Sequence, residues 1–208
     1  MNLVCFSNNT AGGLVCDLLN GTQNLSNSKT LGIEHNVFKI GDDTPTIQTQ
    51  VNVSIWNRKV HELKHKTLWY GTHVHPSCIP DLTAFKSVIA ITTVTRESKL
   101  YRWLRYYNVW FKVAHPLWVE DDSLEKIDKI RELAKNVFVE FTPNDRCENI
   151  EFADIVSGKF AQQRKLNTDY MNKWLSANPW LSESDSWAVK RFNEAEWEIE
   201  RHLPYPYL

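Results

Sequence analysis

The amino-acid sequence predicts an α/β fold with a central, mainly parallel sheet, and two observations indicate this class. The first is that short apolar or β-branched runs alternate along the chain with segments of helical periodicity. The second is the run SVIAITTV at Ser87–Val94, which is almost entirely apolar or β-branched. Such continuous patterning is typical of a central parallel strand that is covered on both faces. Parallel neighbours of this kind are joined by right-handed crossovers.

The first half of the chain contains the segments that begin the predicted sheet. A strand at Leu3–Phe6 runs into a turn of small residues and then into an apolar helix. Residues 20–50 are rich in Asn, Ser, Thr, Gly and Asp, which predicts a loop-rich insert. Four further elements are predicted from β-branched alternation, capping and turn residues: a strand at Val51–Ile55, a helix at Asn57–Thr67 capped by Asn57, a strand at Leu68–Val74 and a helical turn at Asp81–Phe85.

The second half of the chain contains the central strand at Ser87–Val94 and a helical C-terminus. The segment Asp122–Lys135 is amphipathic, because its apolar residues share one helix face. The other predicted elements are a helix from Glu97 to about Tyr107, strands at Val137–Phe141 and Asn149–Phe152, and helices at Lys165–Leu175 and Asp185–Arg201.

Length and composition fit one domain, since 208 residues with 42% hydrophobic content can bury a sizeable core. We expect an α/β core over residues 1–160 and a helical extension over residues 161–208, packed on the same domain. The formal net charge of -1 creates no general field that would attract nucleic acid or a membrane surface. The four cysteines form no CxxC pair, and neither a signal-peptide pattern nor an apolar run of roughly 20 residues is visible. These features predict a soluble, cytoplasmic protein.

The turn after the first strand is a candidate anion site. It contains Thr10, Ala11, Gly12 and Gly13, and an apolar helix follows at once. A strand, a small-residue turn and a helix N-terminus together direct backbone N–H groups at an anion. The sequence lacks GxxxxGK[ST], which disfavours an ordinary nucleotide-hydrolysing P-loop.

A second candidate follows the strand Ser87–Val94, where Arg96 stands at the junction with the next helix. Open α/β sheets bind ligands at the carboxyl ends of their strands, so Arg96 is well placed to hold an anion. Arg102 and Arg105 lie further along the same helix. A guanidinium fork matches the oxygens of a phosphate. The alternative is a solvated helix face, which we favour for Arg102.

Histidines provide two further candidates. His73 and His75 follow the strand that begins at Leu68, and His73 is the candidate general base near neutral pH. The alternative is a structural histidine.

The segment His61–His65 matches HExxH, which on a helix binds zinc in one class of hydrolases. Lys64 and the charged surroundings favour a solvated helix face instead, so a zinc hydrolase is a remote alternative.

Taken in order, these segments resemble the sulfotransferase family, particularly its carbohydrate 2-O-sulfotransferase-like branch. That branch has a PKTAGTSL-type turn, and the corresponding run here is NNTAGGLV at residues 8–15, with Asn9 at the lysine position. The family's catalytic histidine lies in a GHV-like element, which resembles Gly71–Val74 (GTHV). Residues 94–107 are similar to the family's RDPxxRLxSYY-type helix, with Arg105 at the serine position. Residues 150–156 (IEFADIV) are similar to the FEDLV-type segment after the last core strand.

The resemblance implies a three-layer α/β/α fold of the P-loop nucleoside triphosphate hydrolase-like type. It implies 3′-phosphoadenosine 5′-phosphosulfate (PAPS) as donor, an acceptor hydroxyl on a carbohydrate, and no metal. His73 would be the catalytic base. The cofactor-binding residues would be Asn9, Thr10, Ala11, Gly12 and Gly13 around the 5′-phosphosulfate, and Arg96, Ser98 and Arg105 around the 3′-phosphate. Because Asn9 replaces the family's lysine, a catalytically inactive nucleotide- or glycan-binding relative is the alternative.

Overall fold

The described strands of the protein form one parallel sheet. The computed structural model describes residues 1–7, 10–21, 57–58, 60–62, 64–79, 81–105, 108 and 142–181. The sheet has four strands in the order β2-β1-β3-β4, and every neighbouring pair is parallel. This confirms the predicted α/β class with its parallel sheet. The strands are β1 (Asn2–Phe6), β2 (Trp69–Thr72), β3 (Ser87–Thr92) and β4 (Glu148–Glu151).

Helices and 3-10 turns follow the strands. The helices are α1 (Gly12–Leu19), α2 (Arg96–Arg105), α3 (Phe152–Val156), α4 (Lys159–Gln163) and α5 (Thr168–Ser176). The 3-10 turns lie at Pro76–Cys78, Leu82–Ala84 and Pro179–Leu181. Among the described residues, no helix has the length and apolarity needed to cross a bilayer.

The sheet is covered on both faces, as the apolar run of β3 predicted. Alternate residues of β1 point to opposite faces, with Val4 and Phe6 on one and Leu3 and Cys5 on the other. The first face packs against α1, α3, α4 and α5. The second face packs against the segment that carries the first two 3-10 turns. The buried residues of the core on this second face include Tyr70 of β2 and, after that strand, Val74, Ile79, Leu82 and Phe85.

Several element boundaries differ from the predicted ones. β3 ends at Thr92, two residues before the predicted end, and α2 begins at Arg96. The predicted helix at Lys165–Leu175 begins only at Thr168. Lys165 has a φ of 53°, which is left-handed and interrupts the helix. The side chain of Asn167 then caps α5 by accepting a hydrogen bond from the Tyr170 N–H at 3.0 Å.

The predicted helix at Asn57–Thr67 is shorter in the structure. Residues 57–58 and 60–62 are helical, whereas residues 64–67 are not. Asn57 therefore lies within the helix, and its prediction as the cap is wrong. Other predictions lie outside the described residues: most of the insert at 20–50, the strands Val51–Ile55 and Val137–Phe141, and the helices Asp122–Lys135 and Asp185–Arg201.

Candidate functional site

The carboxyl ends of the parallel strands meet at one edge of the sheet. Ser7, His73, Thr93 and the terminal residue Glu151 therefore mark this edge. Among the described strands, β2 follows β1 in the chain and lies on its outer side, whereas β4 follows β3 and lies on the opposite side of the sheet. Ligands bind in open α/β sheets at such a switch in direction, outside the strand ends. The region outside the carboxyl ends of β1 and β3 is thus the candidate site.

The turn between β1 and α1 lies at this edge of the sheet and leads into the start of a helix. Thr10 is fully buried, and its Oγ1 donates a hydrogen bond to the Ser7 carbonyl at 2.7 Å. Ala11 follows in the left-handed region with φ 54°. The Val15 N–H then donates to the Ala11 carbonyl at 3.2 Å. By helical geometry, the amides of residues 12–14 point out of the N-terminus.

The start of α1 suits an anion for a second reason. Within the described part of the chain, no side chain caps this helix, since the residue at its N-cap is Ala11. Ser7 Oγ is buried and has no hydrogen-bond partner among the described residues. A buried hydroxyl of this kind usually has a partner, and here a ligand oxygen would provide one. These two features favour an anion site at the turn, while Asn9 lies outside the described residues.

The ring of Phe6 joins the turn to the neighbouring strand. A Cβ atom added to Gly12 would lie 2.1 Å from this ring, and one added to Gly71 would lie 2.7 Å from it. Only glycine fits at either position without movement of the ring. Phe6 also contacts the His73 ring edge-on, with 4.5 Å between ring centroids. From the sequence, Phe6 is only the last residue of an apolar strand, and no further role was predicted for it.

His73 is held in a defined tautomer by the same residue. Its Nδ1 lies 3.0 Å from the carbonyl oxygen of Phe6. Since a carbonyl oxygen only accepts, Nδ1 carries the proton in the neutral ring. The lone pair is then on Nε2. In the half-buried His73, Nε2 is therefore the nitrogen that can accept a proton.

The carboxylate of Glu151 occupies the start of α2. Its Oε1 accepts hydrogen bonds from Thr92 Oγ1 at 2.7 Å and from the Val94 N–H at 3.3 Å. Its Oε2 accepts from Ser98 Oγ at 2.6 Å, from Thr95 Oγ1 at 3.0 Å and from the Thr95 N–H at 3.3 Å. A negative charge here also stabilises the helix, because it lies at the positive end of the helix dipole. The protein itself thus supplies an anion to this helix.

Hydrogen bonding controls the charge of Glu151. Burial raises its pKa, but the hydrogen bonds from Ser98, Thr92 and Thr95 outweigh burial and lower the pKa below its ordinary value. The group is therefore ionised at neutral pH. From the sequence, Glu151 is predicted only as part of the 150–156 segment, because its contacts depend on the register between β3 and β4.

Ser98 binds protein groups on both sides. Its Oγ donates to Glu151 and accepts a hydrogen bond from the Ala153 N–H at 2.9 Å. The side chain is fully buried. Ser98 consequently fixes α2 against β4 and α3, and we assign it a positioning role.

The three arginines of α2 lie in different surroundings. Arg96 is exposed at the start of the helix. Arg105 is nine residues further on, which corresponds to about 13 Å along the axis and about half a turn around it. Its guanidinium lies 5.3 Å from the ring centroid of Trp174, and burial lowers its pKa to about 10. The prediction of a solvated position for Arg102 is wrong, because this side chain is fully buried, with Nη1 3.5 Å from Thr93 Oγ1. The structure does not bring Arg96 and Arg105 together.

The HExxH segment lies on the surface. His61 and Glu62 are exposed helical residues, and His65 is exposed in a turn rather than on the same helix. Within the described ranges, no three His, Cys, Asp or Glu side chains are grouped so that they could hold a metal ion.

The four described parallel strands and the helices packed on them define an α/β protein. Compared with known proteins, the chain matches no family model, no curated protein and no solved structure.

Proposed function

We propose that this chain is a sulfotransferase-like protein with P-loop-like, three-layer α/β/α architecture. It transfers the sulfuryl group of PAPS to an acceptor hydroxyl, and we assign a carbohydrate as the acceptor. One observation carries the proposal: the small-residue turn, His73 and Arg96 follow three adjacent parallel strands, with the strand before the turn in the middle. A donor anion at the turn would therefore lie between a base and a cation.

Two separate groups of the chain bind the two charged parts of the donor. The amides at the start of α1, with Thr10 closing the turn and Ser7 beside it, hold the 5′-phosphosulfate. The exposed Arg96 holds the 3′-phosphate. We do not assign Arg105 to this phosphate, because it stacks on Trp174 at the other end of α2. When bound, the donor supplies an electrophilic sulfuryl group and a bisphosphate leaving group.

His73 accounts for the proton transfer. An acceptor hydroxyl that attacks sulfur gives its proton to Nε2 of His73. The Nδ1–H then remains bonded to the Phe6 carbonyl, which stabilises the imidazolium. The edge contact with the Phe6 ring holds the imidazole in position.

Calorimetry with adenosine 3′,5′-bisphosphate tests the donor site. We expect Arg96→Ala to weaken binding at least about tenfold, which is about 1.4 kcal/mol. Arg146→Ala is the matched control, because Arg146 is also exposed but precedes β4 at the opposite edge of the sheet. Equal affinity in the two variants would refute the assignment of Arg96. Failure of the wild-type chain to bind the bisphosphate would refute the donor site itself.

A sulfate-transfer assay with radiolabelled PAPS tests the chemistry. We expect His73→Ala to abolish transfer while it retains bisphosphate binding. Full activity of this variant would exclude His73 as the base. The second candidate is a catalytically inactive relative that binds nucleotide or glycan, and it is favoured by Asn9 at the family's lysine position. Wild-type binding without transfer to any carbohydrate acceptor identifies that candidate.

A further inference from the structure

A serine and a histidine form a close pair in the 3-10 turn after β2. The turn spans Pro76–Cys78, and His75 precedes it. His75 is buried, whereas Ser77 is exposed. Ser77 Oγ lies 2.6 Å from His75 Nδ1, and the Ser77 N–H donates to the same nitrogen at 3.2 Å.

These contacts determine which groups carry protons. Because the Ser77 N–H donates to Nδ1, this nitrogen has a lone pair and no proton. The hydroxyl of Ser77 must therefore also donate to Nδ1. The ring proton is on Nε2, which donates to the Thr142 carbonyl at 3.3 Å. A hydroxyl, a base and a group that orients the base are thus arranged in series, as in activated nucleophiles.

The surroundings of His75 keep it available as a base. Burial lowers its pKa below the ordinary value, and the hydrogen bond to the Thr142 carbonyl opposes this effect without cancelling it. The imidazole is consequently neutral at pH 7. The exposed Ser77 is accessible to a reagent in solution.

We propose that Ser77 is a nucleophile that accepts an acyl group from an activated carboxylic ester, with His75 as its general base. Ser77 Oγ forms a bond to the ester carbonyl carbon while its proton moves to His75 Nδ1. The bond from that carbon to the ester oxygen breaks, and the alcohol or phenol leaves with the electron pair. The proton on Nδ1 then passes to the leaving group or to water. This site does not depend on the proposed sulfotransferase activity.

Acetylation of the intact protein by p-nitrophenyl acetate, mapped by peptide mass spectrometry, tests the proposal. Ser157 and Ser176 are internal controls, because both are exposed and their hydroxyls bond only to backbone carbonyls among the described partners. We expect Ser77 to be acetylated at least about tenfold faster than either control, given the usual effect of a positioned base. Labelling of Ser77 at the rate of the controls would show that the pair only caps the turn.

Two variants distinguish the Ser77 hydroxyl from the neighbouring thiol. Cys78 Sγ lies 3.8 Å from Ser77 Oγ, so the thiol is a competing nucleophile. Labelling that persists in Cys78→Ala and disappears in Ser77→Ala supports the proposal. Labelling that depends on Cys78 instead overturns it. In the wild-type protein, acidification through the pKa of His75 should suppress labelling of Ser77, and a rate unaffected by pH would exclude His75 as the base.

Discussion

Phe6 shows how one side chain restricts the residues around it. Its ring lies where a side chain on Gly12 or Gly71 would have to be. Its carbonyl and its ring both contact His73. The residue therefore links the turn before α1 to the candidate base.

Alanine at Gly12 should destabilise the protein, whereas alanine at Gly13 should not. A methyl group on Gly12 must displace the Phe6 ring, which we expect to cost about 1–3 kcal/mol in the free energy of unfolding. Gly13 is exposed in the same helix, and a Cβ there meets nothing within 4 Å. Gly13→Ala should therefore gain up to about 1 kcal/mol from reduced backbone entropy. Urea denaturation measures both values.

Equal unfolding midpoints for these two variants would contradict the packing of Phe6. The sequence predicted the small-residue turn but did not distinguish Gly12 from Gly13. The distinction depends on where the Phe6 ring lies after β1 and α1 pack, which no local pattern contains.

The start of α2 shows how one element is fixed by another. Glu151 at the end of β4 accepts hydrogen bonds from both the strand end and the first turn of the helix. The Ala153 N–H bonds to Ser98 in return. The helix is thus anchored on the neighbouring strand.

Glu151→Gln should lower the free energy of unfolding at pH 7 by about 1–2 kcal/mol, because one amide group would face the donors that now bond to a carboxylate. The pKa of Glu151 is lowered from 4.5 in the folded state. Its contribution is therefore present above pH 4.5 and is lost as the pH falls through the folded value. We expect the variant to lose this part of the acid dependence in urea titrations from about pH 7 to about pH 3.

Glu148→Gln is the control for this experiment. Glu148 is an exposed residue of the same strand and pairs with Arg164 on the surface. Its replacement should change stability by less than about 0.5 kcal/mol. If the two variants behaved alike, Glu151 would have no special role at the start of α2.

Sequence reasoning reached the elements of this site but not all of their contacts. The apolar runs predicted β1 and β3. The prediction that Arg96 and Arg105 hold one phosphate overlooked their spacing, because residues nine apart lie on opposite faces of a helix such as α2. The contact between Glu151 and Ser98 spans 53 residues. It depends on the pairing of Thr92 with Glu151 in the sheet, which the sequence does not reveal.

Across the whole molecule, a buried hydrogen bond joins α1 to α5. Tyr170 donates from its hydroxyl to Asp17 Oδ2 at 2.9 Å, over 153 residues of sequence. Met171 and Trp174 of α5 complete the core on that face of the sheet. Residues near the C-terminal side of the chain therefore stabilise its first helix.

Tyr170→Phe should lower the free energy of unfolding by about 1–3 kcal/mol, because Asp17 would lose its bonded donor while remaining buried. Tyr101→Phe is the matched control, since the Tyr101 hydroxyl donates to Glu97 at the surface. We expect the control to change stability by less than about 0.5 kcal/mol. Chemical denaturation of both variants at pH 7 distinguishes them. A loss of similar size in both would argue against an important Asp17–Tyr170 bond.

The burial of Asp17 gives this carboxyl group a pH dependence of opposite sign to that of Glu151. Burial raises the pKa of Asp17 from 3.8, and the hydrogen bond from Tyr170 only partly offsets this effect. The associated stability is present below pH 3.8 and is lost as the pH rises through the folded value. Asp17→Asn should remove this loss of stability with rising pH. The order of the strands and this long-range contact were not predictable, since both are set by the packing of distant segments.

The fit of Phe6 between two glycines has a consequence for how the sequence can change over time. Enlarging either glycine alone places a methyl group inside the ring's volume. Shrinking the ring alone leaves a cavity beside His73. Divergence at these three positions must therefore be concerted, with a smaller residue at position 6 preceding or accompanying any larger one at position 12 or 71. Such compensation would keep His73 in place only if the new residue at position 6 still contacted its imidazole ring.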